Sequence, residues 1–193
     1  MRIATAALAM TVLAGALAGC VPLVVGGAAA GVAVAHDRRT ASAVLQDQLI
    51  EATLYDRLAR DKDFGDDTHI SVTSYNQIVL LTGEVPTREL GLRAAQYARE
   101  HEKVRQVHNE LVISAPSSLA SRSNDALITT AAKSSLLGVD IEGFDPTRVK
   151  IVTEAGTVYL MGLVTREEAE KVSDQVRRTQ GVRKVVRLFE LID

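Results

Sequence analysis

The residues with distinctive chemistry are one cysteine, Cys20, and four histidines, His36, His69, His101 and His108. A single thiol can make neither an internal disulfide nor a thiolate metal cage, but it can carry a covalent lipid. The histidines are too scattered for an evident metal or catalytic cluster, and no Ser/His/Asp order stands out. His36 sits beside Arg38 and Arg39 in a polar stretch, and His69 precedes a strand. His101 lies at a helix end among Glu100, Glu102 and Lys103, and His108 alternates with Val107, which predicts a solvent-facing ring. Gly83 and Gly162 leave strands without the spacing of a phosphate-cradling loop. No catalytic residue, metal site or cofactor is therefore expected.

The 193 residues are 47% apolar and 24% charged, with a net charge of −2, which suits one or two small globular domains and excludes wholesale disorder. Near-balanced charge excludes a strongly basic nucleic-acid binder. A nucleic-acid role is further disfavoured by the 4% aromatic content, which leaves no interleaved stacking residues.

The cysteine gains meaning from what precedes it. Arg2 is followed by an apolar run from Ile3 to Leu17 and then by small residues, which reads as a secretory signal peptide over 1–19. Leu17-Ala18-Gly19-Cys20 resembles the lipobox of bacterial lipoproteins: the thiol accepts diacylglycerol, and small side chains let the peptidase reach the backbone. A plain secretory signal with an incidental cysteine is the other reading. The resemblance implies a mature chain beginning at an acylated, palmitate-bearing Cys20. Two or more acyl chains, at roughly 0.8 kcal/mol per buried methylene, anchor stably where one binds reversibly. Val21, in place of an aspartate, implies the outer membrane, with the protein facing the periplasm. Residues 20–43 then form a lipidated N-terminus and tether. Its apolar part, 21–35, either lies near the membrane surface or is flexible, since Gly26, Gly27 and Gly31 disfavour helix. A flexible 21–43 would reach about 26 Å.

The remainder is one unit written twice. ISVTSYNQIVLLTGEV (70–85) aligns with VKIVTEAGTVYLMGLV (149–164), matching Val72 to Ile151, Val79 to Val158, Leu81 to Leu160 and Gly83 to Gly162. Upstream, Asp47, Ile50 and Leu58 match Asp125, Ile128 and Leu136; downstream, Val104 and Val107 match Val182 and Val185. A long period used twice indicates duplicated domains, here 44–114 and 124–193, joined by a serine-rich linker at 115–123. Each reads α-β-β-α-β. Ile50, Leu54 and Leu58 form one helical stripe, and Ile128, Ala132 and Leu136 another. Tyr75-Asn76-Gln77 and Ala155-Gly156 mark hairpin turns. Thr165 and Glu168 have capping-box spacing, with Pro86 in the threonine's place in unit one, and Gly181 marks a helix end in unit two. Final strands are expected over 105–113 and 183–191. The expected fold is α+β: two tandem sandwiches, each a three-stranded mixed sheet with two helices on one face.

The αββαβ order, the L-x-G-x-V of Leu81, Gly83 and Val85 (Leu160, Gly162 and Val164) and the V-x-x-V of Val104 and Val107 (Val182 and Val185) resemble the BON domain. Two such units behind a lipobox resemble the dual BON-domain outer-membrane lipoproteins of the DolP (YraP) type. That resemblance implies a non-enzymatic periplasmic protein that binds anionic phospholipid, supports envelope integrity and is recruited to division sites. A protein-interaction adaptor docking an outer-membrane assembly complex is the alternative.

Charge distinguishes the units. Residues 44–114 hold 12 acids and 8 bases; residues 119–193 hold 11 of each, with Arg177, Arg178, Arg183, Lys184 and Arg187 bunched late. Such bases could contact an anionic surface or simply complement a helix end. On the first helix of unit two, Ile128, Ala131, Ala132, Ser135 and Leu136 fall on the core side. Leu127, Thr130, Ser134 and Leu137 fall opposite, with Lys133 on the flank, where its stem can cover apolar surface while its amine reaches phosphates. Asp56 on the corresponding face of unit one, beside Leu49, Ala52 and Ala59, would repel an anionic bilayer. In the resembling family this helix is the phospholipid-contacting element. Leu127, Thr130, Lys133, Ser134 and Leu137 are therefore the expected lipid-binding residues, the alternative being that the two leucines pack against unit one.

Overall fold

The computed structural model describes residues 37–193. The expected signal peptide, Cys20, His36 and most of the expected tether lie outside them. The first domain runs α1 (Ala41–Arg60), β1 (His69–Tyr75), β2 (Ile78–Val85), α2 (Arg88–Arg99), β3 (Gln106–Asn109) and β4 (Val112–Ile113). The second runs α3 (Leu119–Ser135), β5 (Val149–Glu154), β6 (Thr157–Val164), α4 (Arg166–Arg177) and β7 (Lys184–Leu191). In each, the first two strands are antiparallel and the last lies parallel beside the middle one, giving orders β1-β2-β3 and β5-β6-β7.

The registers repeat. Ile70 faces Gly83 and Val72 faces Leu81; Val149 faces Gly162 and Ile151 faces Leu160. Gly83 and Gly162 thus hold equivalent places. At Gly83 the backbone has φ +113°, and an added Cβ would stand 2.0 Å from the His69 carbonyl oxygen. Only glycine takes that conformation and that closeness at low cost.

Both hairpins close through two-residue turns whose central residues all have positive φ: Asn76 and Gln77, Ala155 and Gly156. That is the type I′ geometry, which matches the twist of paired strands. A buried aspartate from the first helix of each domain holds each turn. Asp47 accepts from the amides of Asn76 and Gln77, both at 2.7 Å; Asp125 accepts from Ala155 (3.0 Å) and Gly156 (2.8 Å).

The helices cover one face of each sheet. Ile50, Leu54 and Leu58 pack with Val72, Val79 and Leu81 and the alanines of α2. Ile128, Ala132 and Leu136 pack with Ile151, Val158 and Leu160 and with Val172 and Val176 of α4. The opposite faces of the two sheets meet each other. Tyr75, Ile78 and Leu80 from the first domain join Tyr159 and Met161 from the second in a third buried cluster, flanked by Val152, Leu163, Val186 and Leu188. The described residues therefore stack as helices, sheet, sheet, helices. Polar contacts edge this seam: the Tyr75 hydroxyl donates to the Arg148 carbonyl (3.1 Å), Asn76 and Arg105 donate to Glu190, and Lys150 pairs with Glu51.

Several local expectations are corrected. The closing strand of domain one is interrupted between Asn109 and Val112. The Asn109 side chain donates to the Gly91 carbonyl and accepts from the Leu111 amide, an Asx-type bond that competes with the ladder. Thr87, not Pro86, caps α2 and accepts from the Leu90 amide. The Thr165–Glu168 capping box is present in full. Gly181 lies four residues past the end of α4 at Arg177, and a Cβ there would press on Ile128. Ala131 is exposed, whereas Ile128, Ala132 and Leu136 are buried. Leu136–Gly138 form a 3-10 turn beyond α3.

Helix α1 begins at Ala41, inside the range read as tether, and α3 at Leu119, inside the range read as linker; Thr40 and Ser118 supply their caps. Arg38 and Arg39 are not free in solvent. Arg38 donates to the Leu163 carbonyl and pairs with Glu168, while Arg39 pairs with Asp37 and Asp47 and lies 3.9 Å above the Tyr75 ring. The chain entering α1 is thereby fastened to both domains.

Candidate functional site

The exposed face of α3 is set by the buried one. Ile128 and Ala132 turn toward the sheet, with the 3-10 residue Leu136 continuing their stripe, so Leu127, Thr130, Lys133, Ser134 and Leu137 turn outward. Leu127 is 70% exposed and Leu137 80% exposed, so neither packs against domain one. Leu137 lies on the 3-10 turn and Leu127 on the helix. Thr130 bonds back to the Ala126 carbonyl, which spends its hydroxyl locally.

The α4–β7 connection runs beneath this helix. Thr179 contacts Ser135, Gly181 abuts Ile128, and the Arg183 side chain lies against Gly156. Arg178 shares a small surface cavity with Gly138, next to Leu137. Arg178, Arg183, Lys184 and Arg187 are exposed and make no ion pair among the described residues, whereas Arg177 pairs with Asp174. Arg178 thus stands beside the turn that carries Leu137, and Arg183 beside the hairpin turn held by Asp125 of α3.

Exposed leucines also occur on α1: Leu45 at 57% and Leu49 at 55%. Apolar exposure alone does not separate the domains; the pairing of the nearby charges does. On α1 itself Asp56 pairs with Arg60, and Arg57 pairs with Glu100 beyond α2, so acids stand where domain two has unpaired bases.

A second assembly lies at the seam. His69 Nδ1 is 3.0 Å from Glu84 Oε2, and Glu154 of the second domain joins them, with one ligand atom of each residue within 4.8 Å of the others. Neither carboxylate was singled out from sequence; the fold brings two acids from distant positions to His69. Burial pushes the Glu154 carboxyl above its usual range, and the nearby Glu84 charge adds to the rise. A cavity of about 410 Å³ opens over His69, Glu154, Arg122 and Thr129. His101 accepts from the Lys103 amide at the end of α2. His108 is half-buried against Gln106 and lines a seam cavity with Leu188 and Glu190, so it does not face open solvent; the second sheet covers that side.

Among the described residues no helix is long and apolar enough to cross a membrane. The BON domain model matches residues 46–115 and again 124–193. The chain is 34% identical over 178 residues to the outer membrane lipoprotein DolP of Haemophilus influenzae, covering 92% of this chain and 91% of that protein. It is 31% identical to a 21 kDa hemolysin of Actinobacillus pleuropneumoniae, covering 81% of this chain and 79% of that one. Among solved structures, CdsD, a structural protein of the type III secretion system of Chlamydia trachomatis, aligns with 76% of this chain and 63% of its own at 20% identity and a TM-score of 0.29. Two BON matches in tandem, with an end-to-end likeness to an outer-membrane lipoprotein, place the protein: it belongs to the BON domain family, among the dual-BON outer-membrane lipoproteins of the DolP type.

Proposed function

We propose that the protein is a non-enzymatic lipoprotein, acylated at Cys20, that binds anionic phospholipid through α3 of its second domain. In that role it supports envelope integrity, with action at division sites. The observation that carries the reading is that Leu127 and Leu137 point outward and are exposed, with exposed Lys133 between them in the chain and Arg178 beside the turn that carries Leu137. Burying one leucine is worth roughly 1.5–3 kcal/mol, and each base near an anionic bilayer about 1 kcal/mol. These increments together suit reversible, salt-sensitive docking by a domain already held close by its anchor.

The test uses residues 37–193, which contain all three cores and lack the acyl chain, mixed with vesicles of anionic or zwitterionic phospholipid. Binding confined to anionic vesicles and weakened by salt is expected. Leu127→Glu with Leu137→Glu should abolish it while leaving the melting temperature nearly unchanged, since both side chains are solvated. Unchanged binding removes α3 from the site. Failure to bind vesicles, with retention of a membrane-protein complex instead, establishes the adaptor reading.

A further inference from the structure

We propose that His69, Glu84 and Glu154 form a zinc site that bridges the two domains. The donor set is one imidazole nitrogen and two carboxylate oxygens, all within 4.8 Å of one another. Zinc takes such ligands at about 2.0–2.2 Å and keeps a fourth position for water where the protein supplies three. The open cavity over His69 and Glu154 gives that fourth position access to solvent. An imidazole in the set disfavours calcium and magnesium, which take oxygen ligands in larger number.

Charge supports the same reading. Glu84 is buried, with its carboxylate 3.0 Å from His69 Nδ1. Glu154 is half-buried and makes no hydrogen bond or ion pair among the described residues. Asp125, close by, is committed to the turn amides of Ala155 and Gly156, and Arg122 is exposed at the cavity rim. Two facing carboxylates taken partly out of water are costly unless a cation joins them. The arrangement is also specifically built. Gly83 leaves room for the His69 backbone, and a Cβ there would stand 3.3 Å from the ring Nδ1. Sheet packing does not by itself require these residues. At the other end of the same seam Arg148 and Leu163 take the places of His69 and Glu84, and Tyr75 takes that of Glu154.

The consequence is mechanical. His69 and Glu84 belong to β1 and β2, Glu154 to β5, so the ion ties one sheet to the other.

The test is calorimetric titration of the tag-free full chain, stripped with chelator and held in detergent, with Zn²⁺ alone and separately with Ca²⁺. One equivalent of zinc should bind, calcium should not compete, and the melting temperature should rise with zinc. Glu154→Gln and His69→Gln should each weaken zinc at least tenfold and lose the zinc-dependent rise, with circular dichroism confirming that both remain folded. Glu154→Gln leaves Cys20 and His36 untouched. Zinc binding that persists in that variant therefore lies elsewhere and overturns the proposal. Absence of zinc binding in the wild type, equal binding of calcium, or equal zinc stabilisation of wild type and Glu154→Gln overturns it as well.

Discussion

Tyr75 and Glu154 hold the same place in the two domains, each the last strand residue before a two-residue turn, and each reaches the other domain by different chemistry. The Tyr75 ring is buried in the seam, with its hydroxyl on the Arg148 carbonyl and the Arg39 guanidinium across its face. The Glu154 carboxylate stands beside His69 and Glu84. A duplicated domain has thus been closed by an aromatic ring at one end of its internal interface and by titratable ligands at the other.

The sheet-to-sheet layer is expected to carry much of the stability. Leu80 and Met161 are essentially inaccessible, yet neither faces a helix of its own domain. Leu80→Ala or Met161→Ala should each cost about 2–5 kcal/mol by leaving a cavity, read as a shifted urea midpoint. Tyr75→Phe should cost about 0.5–1.5 kcal/mol, the worth of one hydrogen bond. Near-wild-type midpoints for both alanine variants would mean that the sheets do not pack in solution.

The two turn-holding aspartates should differ in weight. Asp125→Ala unpairs two turn amides and should cost about 1–3 kcal/mol. Asp47→Ala should cost more, because Asp47 also accepts from Ser74 Oγ at 2.7 Å and pairs with Arg39. Equal losses on thermal unfolding would show that the extra partners contribute nothing.

Two glutamates should respond to pH with opposite sign. Burial pushes the Glu168 carboxyl up, but the Arg38 guanidinium and the Thr165 amide outweigh it and hold the group below 4.5. Its stabilising contribution is present above the unfolded value and is lost as pH falls through the lower folded value. Glu168→Gln should therefore destabilise at pH 7, with the difference from wild type closing in acid below about 4.5. Glu154 is raised above 4.5 by burial and by Glu84. Its ionisation penalises the fold: the penalty grows as pH rises from about 4.5 through the raised value and is complete above it, so in metal-free protein Glu154→Gln should stabilise at pH 7, and that gain should vanish in acid below about 4.5. Chemical denaturation from pH 3 to 8 checks both; a common sign for the two variants would contradict the assignments.

The basic border of α3 should act through charge alone. Arg178→Glu with Arg183→Glu should lower affinity for anionic vesicles by about fivefold or more per residue and flatten the salt dependence. Unfolding should be unaffected, since both side chains are exposed. Retained salt dependence would assign the cations to some other surface.

The periodicities identified the elements because they are local properties. Ile50, Leu54 and Leu58 recur at helical spacing whatever lies across from them, and Asn76 and Gly156 each tolerate the positive φ of their turns. The outward direction of Leu127 followed in the same way from the inward direction of Ile128. The stacking of the sheets also left a trace. In β2 Ile78 and Leu80, and in β6 Tyr159 and Met161, are apolar where a solvated face would carry polar side chains. A strand that is apolar on both sides must be covered on both sides, but that pattern does not name the covering surface.

Only the tertiary structure decided that the cover of each sheet is the other sheet, and with it the company of His69 and His108. Glu84 and Glu154 are 15 and 85 residues from His69 in the chain. Strand pairing brings the first to it, and the meeting of two separately folded sheets brings the second. Sequence spacing carries the geometry of one element, whereas a contact between domains depends on which faces are left apolar after each has folded and on how their side chains interdigitate.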